Sequence, residues 1–550
     1  MHKSLQIVEI IQVIFQYTDR DTDAVCTQIC KTWHETALDA LWHHIERLDP
    51  LLSILSPMAE VFGGVMTFPD TNISASRWQR FISYAKRVRR IDYIAFQGPA
   101  IHIQSFAAVA IGRPVLHLFP NLVHLTWNKD PAKPSQALPL SLLFIHPGLR
   151  RLEVYTGTHA TQQALLAVEN FLEEVALRAP QLERFDFQTN IPYRRLGPRF
   201  ANALSSFQRL KVITLSDSLL TSDVLTALGS CPELEAIRRP EFSWQDEPES
   251  HDDLENFSPE MEDTSFPSID TIALTAHLWH IARFLQSDFP ASRLRALHVK
   301  SLEMETIPLL HHFFDVLSAE CPLIEKLTVF IPPGDHGFVP DEEPYSIPFQ
   351  TLAPLLECEK LLVLEISSRL PIELDDSHAI QMAQSWPALQ VLSFSVDIFS
   401  YFHSPDIDHL SLYGTIPFAE NCPNLQKLSL PFDVDRIPSV DERKTFGTAL
   451  RKFQLSVTSP DFSAEELALF LTDVTPPNCI IEGPDVRPEI SFMIQGWRGH
   501  ATAAFRDAEA KDTRLGEALA MLPVLRKVHA RYRSRICSLE DQVSRLTAHS

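Results

Sequence analysis

Histidines stand in two adjacent pairs, His43-His44 and His311-His312, and eight cysteines are scattered along the 550-residue chain. Adjacent residues on a helix point about 100° apart, so neither histidine pair can face one metal ion from a helix. Cys26 and Cys30 are four apart and share one helical face, but no Cys-x-x-Cys or other close-paired metal spacing occurs. There is no His-Glu-x-x-His, no Gly-x-Ser-x-Gly, and neither of the common glycine-rich nucleotide fingerprints. Paired carboxylates concentrate in residues 241–263, which hold ten Asp/Glu and no Lys/Arg. These residue types lead away from catalysis: no enzyme activity and no cofactor are expected.

The remaining elements must therefore position a surface. The chain carries 48 basic and 70 acidic residues, net −22, with 40 prolines against only 16 glycines. That acidity argues against a nucleic-acid partner. With 45% apolar and 21% charged residues the composition is that of a soluble, folding chain. No run approaches the length of a membrane span, so no membrane association is expected. The N-terminal apolar run is broken by Glu9 and Gln12 and lacks a small-residue cleavage site. Reduced thiols and a cytoplasmic and/or nuclear location follow as expectations.

One local pattern recurs, Pro-x-Leu-x-x-Leu-x-apolar. It appears as Pro120-Asn-Leu-Val-His-Leu-Thr-Trp127, Pro147-Gly-Leu-Arg-Arg-Leu-Glu-Val154 and Pro423-Asn-Leu-Gln-Lys-Leu-Ser-Leu430, among others. Its first apolar position falls at Val88, Leu122, Leu149, Leu182, Leu210, Leu234, Ile269, Leu294, Ile324, Leu361, Leu389, Leu425 and Leu450. Each copy ends in an alternating segment such as Leu327-Thr-Val329, which predicts a short strand. Helical periodicity lies between copies, as in Thr161–Leu177, Ile307–Leu317 and Ala464–Leu471. One strand and one helix in every thirty or so residues is the plan of an α/β leucine-rich-repeat solenoid of about 13 irregular repeats. Ordinary α/β domains also alternate strands and helices, but not with one motif thirteen times over. Cys231, Cys321 and Cys422 each precede a repeat proline, and Cys358 takes the same place without one, which predicts small buried core residues.

Residues 5–45 predict a run of short helices. The first puts Ile7, Ile10, Ile11, Ile14 and Phe15 on one stripe; the second carries Val25, Ile29 and Trp33, with Asp21 or Thr22 as its cap. A unit this small cannot bury so much apolar surface internally. It either seals the first repeat or faces a partner.

The Ile10–Phe15 stretch, Ile29-Cys30-Lys31-x-Trp33 and the Ala37-Leu-x-x-Leu-Trp42 ending resemble an F-box, and the whole chain resembles F-box/leucine-rich-repeat proteins of the fungal type. The resemblance implies that the F-box binds a Skp-class adaptor, and through it a cullin–RING ubiquitin ligase, while the repeats recruit a protein substrate. It implies adaptor-binding roles for Ile7, Ile10, Ile11, Ile14, Phe15, Val25, Ile29 and Trp33. Two departures stand out: the usual Leu-Pro start is Leu5-Gln6 here, and Asp19–Asp23 is unusually acidic. The alternative is a repeat scaffold for protein interactions with no ligase link.

The expected division is 1–50 F-box-like, 51–86 linker or N-terminal cap, 87–485 solenoid with an acidic loop at 241–265, and 486–550 a helical tail. In such a solenoid the residues flanking each buried leucine point into the concavity. That set gives Arg151, Glu153, Tyr155, Arg184, Asp186, Arg238, His298 and Lys300 as candidate substrate-binding residues, charged in the N-terminal half and small and neutral toward the end. Arg239 falls where an inward apolar residue is expected. In the tail, Tyr532, Ile536, Leu539, Val543 and Leu546 keep heptad spacing over two heptads, which offers either a capping helix or self-association.

Overall fold

The computed structural model describes residues 7–61, 64–94, 99–128, 134–156, 161–240, 254–332, 346–368, 370–396, 410–434, 436–457, 462–483 and 514–530. The chain forms two compact units, one of Met1–Ala273 with Asp288–Pro290, the other of Leu274–Ser287 with Ala291–Ser550. The tail heptad, and most of the acidic segment, lie outside the described residues.

In the first unit, strands His44–Ile45, Arg90–Ile94, His124–Asn128, Arg151–Thr156, Arg184–Thr189, Val212–Leu215 and Ala236–Arg238 pair in that order. Every pairing is parallel, and Thr271 and Ile272 extend the series beside Ala236 and Ile237. In the second unit the same holds for Ala296–Lys300, Lys326–Phe330, Val363–Ser368, Val391–Val396, Lys427–Asp433, Lys452–Val457 and Ile480–Glu482. Strand order follows chain order along both series. A doubly wound α/β domain would reverse direction at a switch point, and neither series does. The fold is a leucine-rich-repeat solenoid.

All thirteen repeat positions from Val88 to Leu450 are buried, at 2% exposure or less. Fully burying such a side chain is worth roughly 1.5–3 kcal/mol, so the motif is the core. The helices fall where the periodicity puts them: Gln162–Arg178, Ile307–Glu320 and Ala464–Val474. Thr161 and Ser463 cap the first and last of these, accepting from Ala164 N and Glu466 N. Gly197, at φ 69°, ends the short helix Tyr193–Leu196, and Pro198 opens the next at its first turn.

The repeat proline has a sharper role than ending a helix. Leu122 N donates to Phe119 O, Leu149 N to His146 O, Leu182 N to Ala179 O, and Ile324 N to Cys321 O. Each bond spans three residues and closes a turn with proline at its second position, where a fixed φ is already correct. The thiols lie at the first position of these turns: Cys231, Cys321 and Cys422 are buried, as is Cys358. Burial pushes the Cys231 and Cys358 thiols up to about 11 and those of Cys321 and Cys422 up to about 12.

Four features differ from the sequence reading. Strand His44–Ile45 pairs with Arg90 and Ile91, so the ladder begins inside the N-terminal segment. Its two residues are too few for period-two alternation to register. The cap of the second helix is Asp19, which accepts from Thr22 N, rather than Asp21 or Thr22. Val25, Ile29 and Trp33 do not share a helix: Arg20–Cys26 carries Val25, Ile29 lies in the connection, and Trp33 belongs to Lys31–His43. At Arg239 the strand has already ended at Arg238, so no inward position is filled by charge.

Candidate functional site

Two surfaces of the first unit carry all the candidate residues except His298 and Lys300. The first is built by helices α1 (Val8–Phe15), α2 (Arg20–Cys26) and α3 (Lys31–His43). Ile11, Phe15, Cys26 and Ala37 form their common core, with Trp33 and Ala40 packed against it. Phe15 and Trp33 meet edge to face with ring centroids 5.9 Å apart. Asp21 and Asp23 lie in the first turn of α2, where negative charge suits the helix dipole. The bundle is fastened through α3. Arg87 forms ion pairs with Glu35 at 2.5 Å and with Asp39, and Trp42 packs on Tyr84. The end of α3 runs directly into the first ladder strand.

What this leaves outside is apolar. Ile7, Ile10, Ile14, Val25 and Ile29 are exposed, and Val8, Val13 and Tyr17 join them. Eight of the 22 exposed large hydrophobic residues among the described positions fall between residues 7 and 29. A contiguous exposed apolar patch marks an interaction surface. Of the eight candidate adaptor-binding residues, five thus stand on the surface, Ile11 and Phe15 lie in the bundle core, and Trp33 is half-buried against it. Sequence periodicity could not separate these groups, because apolar residues cover all of α1 except the side that carries Glu9 and Gln12.

The second surface is the open face of the strand ladder. The register aligns His44, Arg90, His124, Arg151 and Arg184 as one row across five adjacent strands. Asp92, Thr126, Glu153, Asp186, Thr214 and Arg238 form the next row. Side chains within each row are direct cross-strand neighbours.

The rows are stitched together. Asp92 accepts from Arg90 Nε at 2.9 Å and lies 2.8 Å from His44 Nε2. Burial pushes its carboxyl up, but the bonds from His44 and Arg90 outweigh this and hold it well below the usual carboxylate range. Glu153 lies 3.0 Å from His124 Nε2 and accepts from Thr126 Oγ1 at 3.2 Å. The His124 bond, against some burial, lowers its pKa. Asp186 accepts from Arg184 Nε at 2.9 Å, yet burial, reinforced by the charge of Glu153, leaves its pKa raised. Its Oδ1 lies opposite the Thr214 hydroxyl, and the Thr214 and Arg184 contacts lower the pKa without offsetting burial. His124, Thr126 and Glu153 form a bonded set that composition alone does not reveal; only the register brings it together.

Arg151 and Arg238 are exposed and form no ion pair among the described residues. Tyr155 and Gln188 are half-buried and face each other one step further along the strands. In the second unit, Lys300 is buried with its amine 5.9 Å from the Phe330 ring centroid. His298 is half-buried in the row that continues through Thr328, Glu365, Ser393 and Ser429. Ser393 and Ser429 are both buried, which keeps that stretch small and neutral.

A cleft of about 710 Å3 is lined by Gln12, Phe15, Arg20, Asp23, Asp39 and His43, among others. Burial lowers the pKa of His43 there. No group of three metal-ligating side chains occurs among the described residues, and none of their helices is long and apolar enough to cross a membrane.

No family model and no curated protein matches the chain. Solved structures are similar at low identity. Rad7, from the crystal structure of the Rad7 and Elc1 complex in yeast, is matched at 12% identity over 64% of this chain and 83% of that chain, with a TM-score of 0.33. The leucine-rich-repeat-containing protein LegL7 from Legionella pneumophila is matched at 12% over 69% of this chain and 99% of that chain, TM-score 0.30. TLR13, solved in complex with ssRNA13, is matched at 11% over 67% of this chain, TM-score 0.32, and the chain spans only 47% of its length.

Proposed function

We propose that this chain is a substrate-recognition adaptor of a Skp–cullin–F-box type ubiquitin ligase. On this reading the α1–α2 face binds a Skp-class adaptor and the strand ladder binds a protein substrate. The observation that carries it is the exposure of Ile10, Ile14, Val25 and Ile29 on a bundle whose own core is already closed by Ile11, Phe15, Cys26 and Ala37. Exposed apolar side chains on so small a bundle call for a partner surface. The residues on that face are those that resemble an F-box.

The second reading is a protein-interaction scaffold without a ligase link, in which the helices seal the end of the repeats. The Arg87 ion pairs and the direct run of α3 into the ladder favour it, since a cap needs both. Co-purification of the full chain with a Skp-class adaptor separates the two. Capture that is abolished by Ile10→Asp with Val25→Asp supports the ligase reading; no capture by the intact chain leaves the scaffold.

A further inference from the structure

The row His44, Arg90, His124, Arg151 and Arg184 places a basic residue on each of five successive strands. At about 4.8 Å per strand it is roughly 19 Å long. The carboxylates of the neighbouring row do not cancel it evenly. Asp92 and Asp186 are buried under the guanidinium groups that contact them, at 6% exposure each, whereas Arg90 is exposed. Arg151, and Arg238 at the far end of the second row, stand exposed with no ion-pair partner among the described residues. Anions approaching this face meet cations first.

We infer that the open strand face of the first unit binds an extended acidic peptide segment of a protein partner, its carboxylates seated on Arg151, Arg238 and the basic row. This deepens the substrate-binding half of the proposed function and rests on it. Acidic side chains two residues apart in an extended peptide are roughly 7 Å apart, between one and two strand spacings, a range that long arginine side chains span. Guanidinium groups favour such carboxylates because they can grip them with two parallel hydrogen bonds. The peptide backbone between them finds polar neighbours in Thr126, Tyr155 and Gln188. A nucleic acid fits less well. Its unbroken row of phosphates would lie against Glu153 and the buried carboxylates, and the whole chain is at net −22.

The test is fluorescence anisotropy with the full chain and three labelled probes: a twelve-residue Glu/Ser peptide, the same peptide with Gln for Glu, and a twenty-nucleotide oligo-U. The Glu peptide should bind at least tenfold tighter than the Gln peptide, weaken as salt rises, and lose about tenfold in affinity in Arg151→Glu and again in Arg238→Glu. Lys360→Glu, an equal charge change on the second unit, should leave binding unaltered. Equal binding of the Glu and Gln peptides overturns the inference, as does insensitivity to both arginine reversals or tighter binding of oligo-U. Adaptor capture is measured on the same preparations. An intact adaptor interaction without acidic-peptide binding removes this inference alone, while peptide binding without adaptor capture removes the ligase reading and leaves the inference standing.

Discussion

Glu153 and Asp186 stand opposite one another on adjacent strands, and their carboxyls are displaced in opposite directions. Glu153 is lowered because His124 bonds it, and Asp186 is raised because burial, with the Glu153 charge, outweighs Thr214 and Arg184. A carboxyl lowered by folding stabilises the fold above its unfolded pKa, near 4, and loses that contribution as pH falls through the folded value. A raised carboxyl does the reverse, costing stability as pH rises through the unfolded value. Glu153→Gln should therefore lower the thermal midpoint at pH 7, by the equivalent of about 1 kcal/mol given its partial exposure, with the deficit shrinking toward pH 3. Asp186→Asn should gain relative to wild type as pH rises from 3 to 7. Midpoints for the two variants that shift in the same direction with pH would contradict this assignment.

Glu305 caps a helix belonging to another repeat. It is buried, accepts from Leu278 N at 2.9 Å and from Ser301 Oγ at 2.7 Å, and so satisfies the start of helix Leu278–Leu285. Glu305→Ala leaves a buried amide without its acceptor and should destabilise the second unit by about 1–3 kcal/mol. Hydrogen exchange at Leu278, compared between wild type and variant, checks the location of the loss.

Seven cysteines fall among the described residues, and six of them are buried. Cys30 is the exception. With the turn-position thiols pushed up to about 11 or 12, they hold almost no thiolate at neutral pH. Mapping of native modification by a thiol reagent should find Cys30 labelled and Cys231, Cys321, Cys358 and Cys422 protected until the chain is denatured. Rapid native labelling of any of those four would refute their placement in the core.

The turn prolines make a graded prediction. Pro180 and Pro322 sit second in turns closed by Leu182 N to Ala179 O and Ile324 N to Cys321 O. Replacing either by alanine keeps the turn and frees the unfolded chain, so each should cost about 0.4–1 kcal/mol. Chemical denaturation of single and double variants gives the values, which should add because the two turns belong to different units and share no partner.

The repeat was open to sequence reasoning because a leucine in a parallel ladder has one place to go. Val88 through Leu450 are periodic since each fills the same core position, and the excess of proline over glycine follows from turns that proline closes. The first strand, His44–Ile45, escaped because it is two residues long. The N-terminal face was legible only as an apolar excess: apolar residues cover all of α1 except the side of Glu9 and Gln12, so Ile11 and Phe15 inside and Ile10 and Ile14 outside look alike in the sequence. On the ladder, charged positions such as Arg151 and Glu153 were readable from alternation. Pairs such as His124 with Glu153, 29 residues apart, needed the register. Lys300 looked like an outward cation, and the structure buries it over Phe330.

Titration calorimetry of the full chain against a purified Skp-class adaptor addresses the α1–α2 face directly. Ile11 cannot serve as the probe, since its substitution empties the bundle core; Ile10 and Val25 can, because they are exposed. The adaptor should bind, and Ile10→Asp with Val25→Asp should weaken it at least 100-fold with no change in thermal midpoint. Absence of binding to the intact chain, or equal binding to the variant, would contradict the adaptor role.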